Sequence, residues 1–336
     1  MSTDYDVTQF GIQPEDEFHH PFSADHADWN ESYFFDWYDA SGSNAGHCRI
    51  GWHPVQQRIL FWLYLYNGSE WLVIEEYRLP FSSLQLGSED SSGTPGSAFS
   101  YEGWGLAFKY QPLEALRRGR LTVSGFARVI CGPRQGQIKP IQLDLAINAI
   151  GPPYSRGAGA VDSHSAEHFS TDRYEQPTQV QGNVTIDGET TAMSARGERD
   201  HSWGPRPWDM QWQFLVVNNE RFSMLATQVE IPGWPVISMG YYHGHGEAME
   251  PLAETELALT FNAADPTQAV SGSFNLLCES GRRIQGNIET ISGTEIDITH
   301  TFATPHRSEY RRSLIRCTFD DGSESVGWLE CNRETG

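Results

Sequence analysis

Apolar and polar residues alternate along most of this chain in short runs separated by turn-forming residues. Spacings of roughly ten residues between such runs are the signature of an all-β sandwich or barrel. Gly51-Trp52-His53 leads into the run from Arg58 to Tyr66, which stops at Asn67-Gly68, a hairpin signal, and Glu70 to Tyr77 reads as the returning strand. Further strands are predicted over 103–110, 120–130, 141–150, 178–187, 211–217, 221–231, 236–243, 254–262, 272–278, 283–291, 295–302, 310–319 and 325–332. Helix is sparse, and the best short candidate is Pro112 to Arg118, closed by Gly119.

Two stretches break the pattern. Ser88 to Ser100 is rich in serine and glycine and reads as a loop. Gly151 to Pro177 is Gly/Pro-rich and then polar, carrying His164, Glu167 and His168. The boundary between two β domains is placed there, giving 1–160 and 161–336. A weak internal echo supports a tandem arrangement: Asn30 to Trp37 enters the first series of strands, and Trp208 to Phe214 enters the second.

A length of 336 residues fits one large domain or two of ordinary size, and 11 tryptophans within 12% aromatic residues allow a sizeable core. The formal net charge of −21 repels phosphate backbones and anionic lipid, which argues against nucleic-acid and membrane-surface roles. The five cysteines, Cys48, Cys131, Cys278, Cys317 and Cys331, form no CxxC pair and fit a reducing compartment. Met1 to Gly11 has no positive or apolar region of a secretory signal, and no stretch approaches the ~20 apolar residues of a membrane helix. A soluble, cytoplasmic protein is expected.

The densest chemistry lies between Gly197 and Trp208: Glu198, Arg199, Asp200, His201, Ser202, Trp203, Gly204, Pro205, Arg206 and Pro207 fill the interval. Two guanidinium groups, two carboxylates, an imidazole and two indoles project from a bent or extended backbone. A carboxylate between arginine and histidine, walled by tryptophan, is a place to tune proton affinity. The same residues also suit a buried ion-pair knot tying two substructures together.

This segment, with Glu175-Gln176, Gly182 to Gly188 and Gly327-Trp-Leu-Glu330, resembles the bacterial tandem-lipocalin families. Those are related to the carotenoid 1,2-hydratases, to AttH-like proteins and, more remotely, to fungal decalin-forming Diels–Alderases. The first half fits through Asn30-Glu-Ser-Tyr33, Arg49-Ile-Gly51 and Pro112-Leu113. The carotenoid hydratases are similar at an Asp-His-Asn-x-Gly run, which Asp200, His201 and Gly204 match and Ser202 does not. The resemblance implies two lipocalin-like antiparallel β-barrels and an aspartate, here Asp200, that protonates an alkene. Because one such superfamily serves hydration, elimination and cyclisation, function is argued from the site.

Asp200 is the first candidate acid or base, raised in proton affinity by an apolar pocket or held ionised by Arg199 or Arg206. His201 carries an imidazole, the side chain suited to proton exchange near neutral pH, but it neighbours Asp200 on a strand, so the two side chains are expected on opposite faces. Glu175 is the candidate partner carboxylate. Trp203, Trp208, Trp212 and Trp52 are candidate aromatic walls, and Tyr64 a phenol among apolar residues; each also suits plain packing. The pairs His19-His20 with His26, His164 with His168, and His243 with His245 lack the spacing of zinc sites, so no metal is expected. No phosphate-binding loop, nucleotide fingerprint or nucleophile elbow is present, and no cofactor is expected. The sequence thus points to a cofactor-independent lyase or isomerase acting on a bulky hydrophobic small molecule, possible as a homo-oligomer, or else to a carrier of such a ligand.

Overall fold

The protein is described from a computed structural model over residues 5–87, 97–155, 172–205, 210–233, 235–298 and 308–334. Among these residues the chain is almost wholly strand, as the alternation predicts. Its helical segments are two 3₁₀ turns, Pro14–Glu17 and Phe81–Ser83. No helix among them is long and apolar enough to cross a membrane.

The first compact unit comprises Met1–Asp39 and Ser43–Arg206, and the second comprises Ala40–Gly42 and Pro207–Gly336. The division expected at 160/161 therefore falls at 206/207. Backbone pairing explains the difference. The first unit contains β1 (Trp29–Tyr38), β2 (Ala45–His53), β3 (Arg58–Tyr66), β4 (Trp71–Pro80), β5 (Leu84–Leu86), β6 (Phe99–Gly103), β7 (Leu106–Glu114), β8 (Arg118–Cys131), β9 (Ile138–Ala149), β10 (Asp172–Ile186) and β11 (Glu189–Pro205). In this sheet β11 lies between β1 and β10, and β10 pairs with β9. Removing β10 and β11 would leave β1 and β9 as open edges, so the unit needs them. A further β4–β8 pairing, through Trp71↔Cys131 and Leu72↔Val129, closes β1–β4 and β8–β11 into a circuit of eight strands. Its interior is packed with Tyr33, Phe35, Trp37, Ile50, Trp52, Leu63 and their neighbours.

The second unit is a closed antiparallel barrel of β12 (Gln211–Asn218), β13 (Phe222–Glu230), β14 (Ile237–Gly244), β15 (Glu250–Asn262), β16 (Asp265–Cys278), β17 (Arg283–Ile296), β18 (Ser308–Phe319) and β19 (Glu324–Glu334). Leu215, Val217, Met224, Leu276, Ile315 and Leu329 fill its core. β17 runs unbroken across the gap expected between 283–291 and 295–302, as far as Ile296, with a register shift between Thr290 and Ser292; residues 299–302 lie outside the described residues.

The helix predicted at Pro112–Arg118 is instead the turn of the β7–β8 hairpin, where Pro112 pairs with Gly119 and Glu114 with Arg118. Leu116 at its tip has φ +57° and is buried with Ile12, Tyr174 and Trp203. Burying that one leucine outweighs the weak local helix preference. The hairpin predicted at Asn67-Gly68 forms, with Tyr66 facing Trp71 and Asn67 Oδ1 accepting the Glu70 N–H.

β11 carries the chemistry-dense segment as one regular strand of 17 residues. Gly197 marks where it closes on β1: a Cβ there would lie 1.9 Å from the Asp36 carbonyl oxygen and 2.7 Å from Asp36 Oδ1. Gly197→Ala must therefore push the two strands apart. Its expected destabilisation is at least the ~1–3 kcal/mol of an overpacked core, read from the denaturant midpoint; an unchanged midpoint would show that the strands give way freely.

Candidate functional site

Successive residues of a strand point to opposite faces, and β11 divides its functional groups this way. Register sets Arg199 against Phe35, His201 against Tyr33 and Trp203 against Glu31, on the face lining the first unit's interior. Asp200 faces Phe34, and Ser202 faces Ser32, on the opposite side, where the two hydroxyls lie 3.1 Å apart. Asp200 and His201 thus point apart, as the alternation predicts.

On the inner face Arg199 is tied into a saturated knot with Glu17, which arrives from the 3₁₀ turn near the N-terminus. Arg199 Nη1 donates to Glu17 Oε1 (2.7 Å) and Tyr110 Oη (2.6 Å), and Nη2 to Glu17 Oε2 (3.0 Å) and Gln176 Oε1 (2.6 Å). Nε donates to Gln176 Oε1 at 2.8 Å. These contacts use all five N–H donors of a guanidinium. Glu17 also accepts from Tyr110 Oη and from the Leu116 N–H. Burial opposes its charge, but Arg199 and these donors outweigh that and hold the Glu17 carboxyl below the ordinary carboxylate range. Arg199 has no donor left for a substrate, and here the ion-pair-knot reading describes the geometry.

His201, fully buried, stacks on Tyr33 with centroids 3.8 Å apart. Its Nδ1 lies 2.8 Å from the Asp16 carbonyl oxygen and its Nε2 lies 3.0 Å from Glu31 Oε1. His20 completes the group: its ring stacks on Trp203 at 3.8 Å, and its Nδ1 lies 3.1 Å from the same Glu31 oxygen. His20, Glu31 and His201 are the described residues that bring three possible metal-ligand atoms within 4.8 Å of one another. Sequence spacing hid this set because its members come from three separate segments. Of the histidine pairs read from sequence, His243 and His245 have ring centroids 6.0 Å apart, while His164 and His168 lie outside the described residues.

On the outer face Arg173 contacts Glu175 Oε1 and donates to Asp200 Oδ2 at 3.3 Å. Glu175 and Asp200 are direct cross-strand partners. One guanidinium thus serves two carboxyl groups. Burial raises the proton affinity of Glu175, Arg173 counters that only in part, and neighbouring Asp200 adds to the rise. For Arg173 the two carboxyls outweigh burial and keep it a cation. The two shifts agree in sense: one positive charge cannot balance two negative ones, so one carboxyl, Glu175, keeps its proton above the ordinary range. The side chains of Arg173 and Asp200 remain 30% and 19% exposed, so the group is reachable.

Cross-strand partners extend this row from Asp200 through Phe34, Arg49 and Trp62 to Glu75. Tyr64 stands beside it, stacked on His47 at 4.9 Å and donating to Glu75 Oε1 at 2.5 Å. Trp62 Nε1–H is buried and finds no acceptor among the described residues. The other candidates scatter. Trp52 packs in the first core against Tyr33, and Trp203 packs with His20 on the inner face. Trp212 lines a cavity of about 450 Å³ in the second barrel with Phe261, Gln213, Gln228 and Arg333. Arg206 and Trp208 lie outside the described residues.

Sequence reading missed Glu17, Tyr110 and Arg173; it named His20 only in a histidine cluster from which no metal is expected, and Glu31 only as part of the matched segment Asn30–Tyr33. Glu31 had a usable signal: it lies in phase with Tyr33, Phe35 and Trp37, so a carboxylate on an inward stripe demands a partner. Glu17 had none, because its partner is 182 residues away.

The inner knot predicts a stability effect. Glu17→Gln leaves the Arg199 charge buried without its counterion and should cost ~3–5 kcal/mol. The lowered Glu17 carboxyl stabilises the fold above its unfolded-state value and ceases to as pH falls through the folded one. Wild type should therefore outlast the variant at neutral pH by that margin in denaturant, with the gap closing in acid; equal stability at neutral pH would refute the role given to this pair.

Comparison with known proteins follows the same architecture. An AttH-like protein (NE1406) from Nitrosomonas europaea superposes with a TM-score of 0.64 at 12% identity, over 96% of this chain and 97% of that one. CghA, solved with Sch210972, gives 0.62 at 13% identity over 92% and 89%, and kievitone hydratase from Nectria haematococca gives 0.56 at 10% over 99% and 96%. These likenesses establish the fold, which is the one that the sequence resemblance implies. No curated protein matches the chain in sequence. A family model matches residues 13–335, and the chain belongs to the family it describes, Domain of unknown function (DUF7064).

Proposed function

We propose that this chain is a cofactor-independent lyase or isomerase performing acid–base addition, elimination or rearrangement at an alkene or allylic alcohol. The observation that carries this reading is the single Arg173 guanidinium shared by Glu175 and Asp200 on a reachable face. A protonated carboxyl beside an ionised one is an acid and a base held in one place. In an elimination, Glu175 gives its proton to the leaving hydroxyl, the C–O bond breaks and water departs, while the Asp200 carboxylate takes the proton from the adjacent carbon. Hydration runs the same transfers in reverse. Part-exposed Phe34, with Trp62 and Tyr64 enclosed in the same row, gives the site an aromatic character that suits a bulky hydrophobic or aromatic substrate such as an isoprenoid, steroid or phenylpropanoid. His201, Arg199, Trp52 and Trp203 support the site's strands from the inner face and are not assigned to substrate. The five free cysteines fit a reducing, cytoplasmic setting, and one fold-mate bears the name of a hydratase.

The second reading, a ligand carrier, is favoured by the cavity of about 450 Å³ around Trp212 and Phe261. It falls in the range of small-molecule pockets, roughly 300–1,000 Å³.

Asp200→Asn and Glu175→Gln separate the two. Assayed on a panel of aromatic and isoprenoid alkenes and allylic alcohols, each should lower turnover by ~10²–10⁴-fold with affinity within a few-fold and melting temperature nearly unchanged. Wild-type chain that binds such ligands and never turns them over supports the carrier. Loss of fold in both variants together would mark the trio as structural.

The pH profile gives an independent check. Glu175 must be protonated to act as the acid, so turnover should fall as pH rises through its raised value, above the ordinary carboxylate range. Glu175→Gln should abolish that descending limb. A wild-type profile flat from mildly acidic to mildly alkaline pH would rule Glu175 out as the acid.

A further inference from the structure

The buried group of His20, Glu31 and His201 takes no part in the chemistry proposed for Glu175 and Asp200, and its hydrogen bonding is unusual. His201 Nδ1 lies 2.8 Å from the Asp16 carbonyl oxygen, which can only accept, so this nitrogen carries a ring hydrogen. With a neutral ring, Nε2 presents a lone pair to Glu31 Oε1, 3.0 Å away, which is also an acceptor. His20 repeats the arrangement: Nε2 lies 3.3 Å from Asp16 Oδ1, and Nδ1 lies 3.1 Å from Glu31 Oε1. The single His20 backbone N–H is shared between the two Glu31 oxygens at 3.0 and 3.2 Å, which leaves this buried carboxylate with lone pairs to offer a cation.

Two imidazole nitrogens and a carboxylate oxygen therefore converge, with both remote ring nitrogens anchored on oxygens of Asp16. That is the outer support typical of metal-binding histidines, which give their other N–H to a carbonyl or carboxylate. The two distances to Glu31 fit as well, and the two ring nitrogens lie within 4.8 Å of each other. Ligand atoms around a tetrahedral zinc ion stand about 3.3–3.4 Å apart at metal–ligand lengths of ~2.0–2.1 Å, so the contacts of 3.0 and 3.1 Å need open by only a few tenths of an ångström. Glu31 and His201 are fully enclosed, while His20 is 17% exposed and marks the side from which an ion enters and a fourth ligand, water, can sit.

We propose that His20, Glu31 and His201 bind one divalent transition-metal ion of the zinc or cobalt kind, with Asp16 as the outer support. Imidazole and carboxylate donors favour such ions over magnesium or calcium, which take oxygen ligands. The ion would brace the segment carrying Asp16 and His20 against β1 and β11, the two strands that also position Phe34 and Asp200. A site that takes up protons in place of an ion, with both rings as imidazolium, is the competing account.

The test uses the full chain, stripped with a chelator and dialysed, then titrated with Co²⁺ at neutral pH. One equivalent should bind with the visible d–d bands of tetrahedral cobalt, disappear on adding Zn²⁺, and raise the melting temperature with ion concentration. His20→Ala should lose both the bands and the thermal response while keeping the wild-type far-UV circular dichroism. Asp16→Asn should weaken cobalt affinity by ~10–100-fold, and His243→Ala should bind as wild type does. Wild-type uptake below one equivalent, the result expected if protons fill the site, overturns the assignment. So does a His20→Ala chain that binds as tightly; should that variant not fold, unchanged affinity in Asp16→Asn overturns it instead.

Discussion

The first unit depends on the buried pairing of Arg199 with Glu17. A guanidinium within a packed interior is tolerable only if its donors are met and its charge is matched, and here one carboxylate, one amide and one phenol do both. Meeting that requirement draws the 3₁₀ turn of Pro14–Glu17 into the barrel interior. Asp16, next to Glu17, is thereby set against His201, and Phe18 enters the core. The same requirement fixes β11 in register between β1 and β10, since Gln176, the other acceptor, is the cross-strand partner of Arg199. Once Arg199 and His201 are committed inward, alternation leaves Asp200 on the outer face, beside Glu175 and Arg173.

How much of this could be read in the sequence follows from the range of the forces involved. The strands were legible because period-two alternation is local, and so was the tandem arrangement of two β units. Opposite orientation of Asp200 and His201 was legible for the same reason. β11 was only half legible: Arg199 and His201 occupy inward positions where apolar residues would normally reveal a strand, so polarity erases the pattern. The boundary was misplaced because composition shifts between 151 and 177, whereas the sheet is completed by β10 and β11 beyond it. Leu116 defeated the helix prediction through tertiary burial. Partnerships such as Glu17 with Arg199, or His20 with His201, depend on closure across most of the unit, and no local pattern encodes them.

Two buried glutamates in this unit illustrate how the fold assigns roles. Glu17 and Glu175 are the same residue, each almost without exposure and each in contact with an arginine. Burial pushes both toward the neutral form. Their directions nevertheless differ, downward for Glu17 and upward for Glu175. Stoichiometry accounts for the difference. Arg199 gives its charge to Glu17 alone, in a bidentate contact reinforced by Leu116 and Tyr110, so desolvation is offset and the carboxylate becomes a fixed strut. Arg173 divides its charge between two carboxyls, so one of them is left with a burial penalty that nothing cancels. A proton relieves that penalty, and a group that holds a proton only because its surroundings are one charge short is also one that can release it. Arginine and carboxylate gathered along β11 and its neighbours therefore yield, by strand alternation, a saturated knot on one face and two carboxyls sharing one guanidinium on the other.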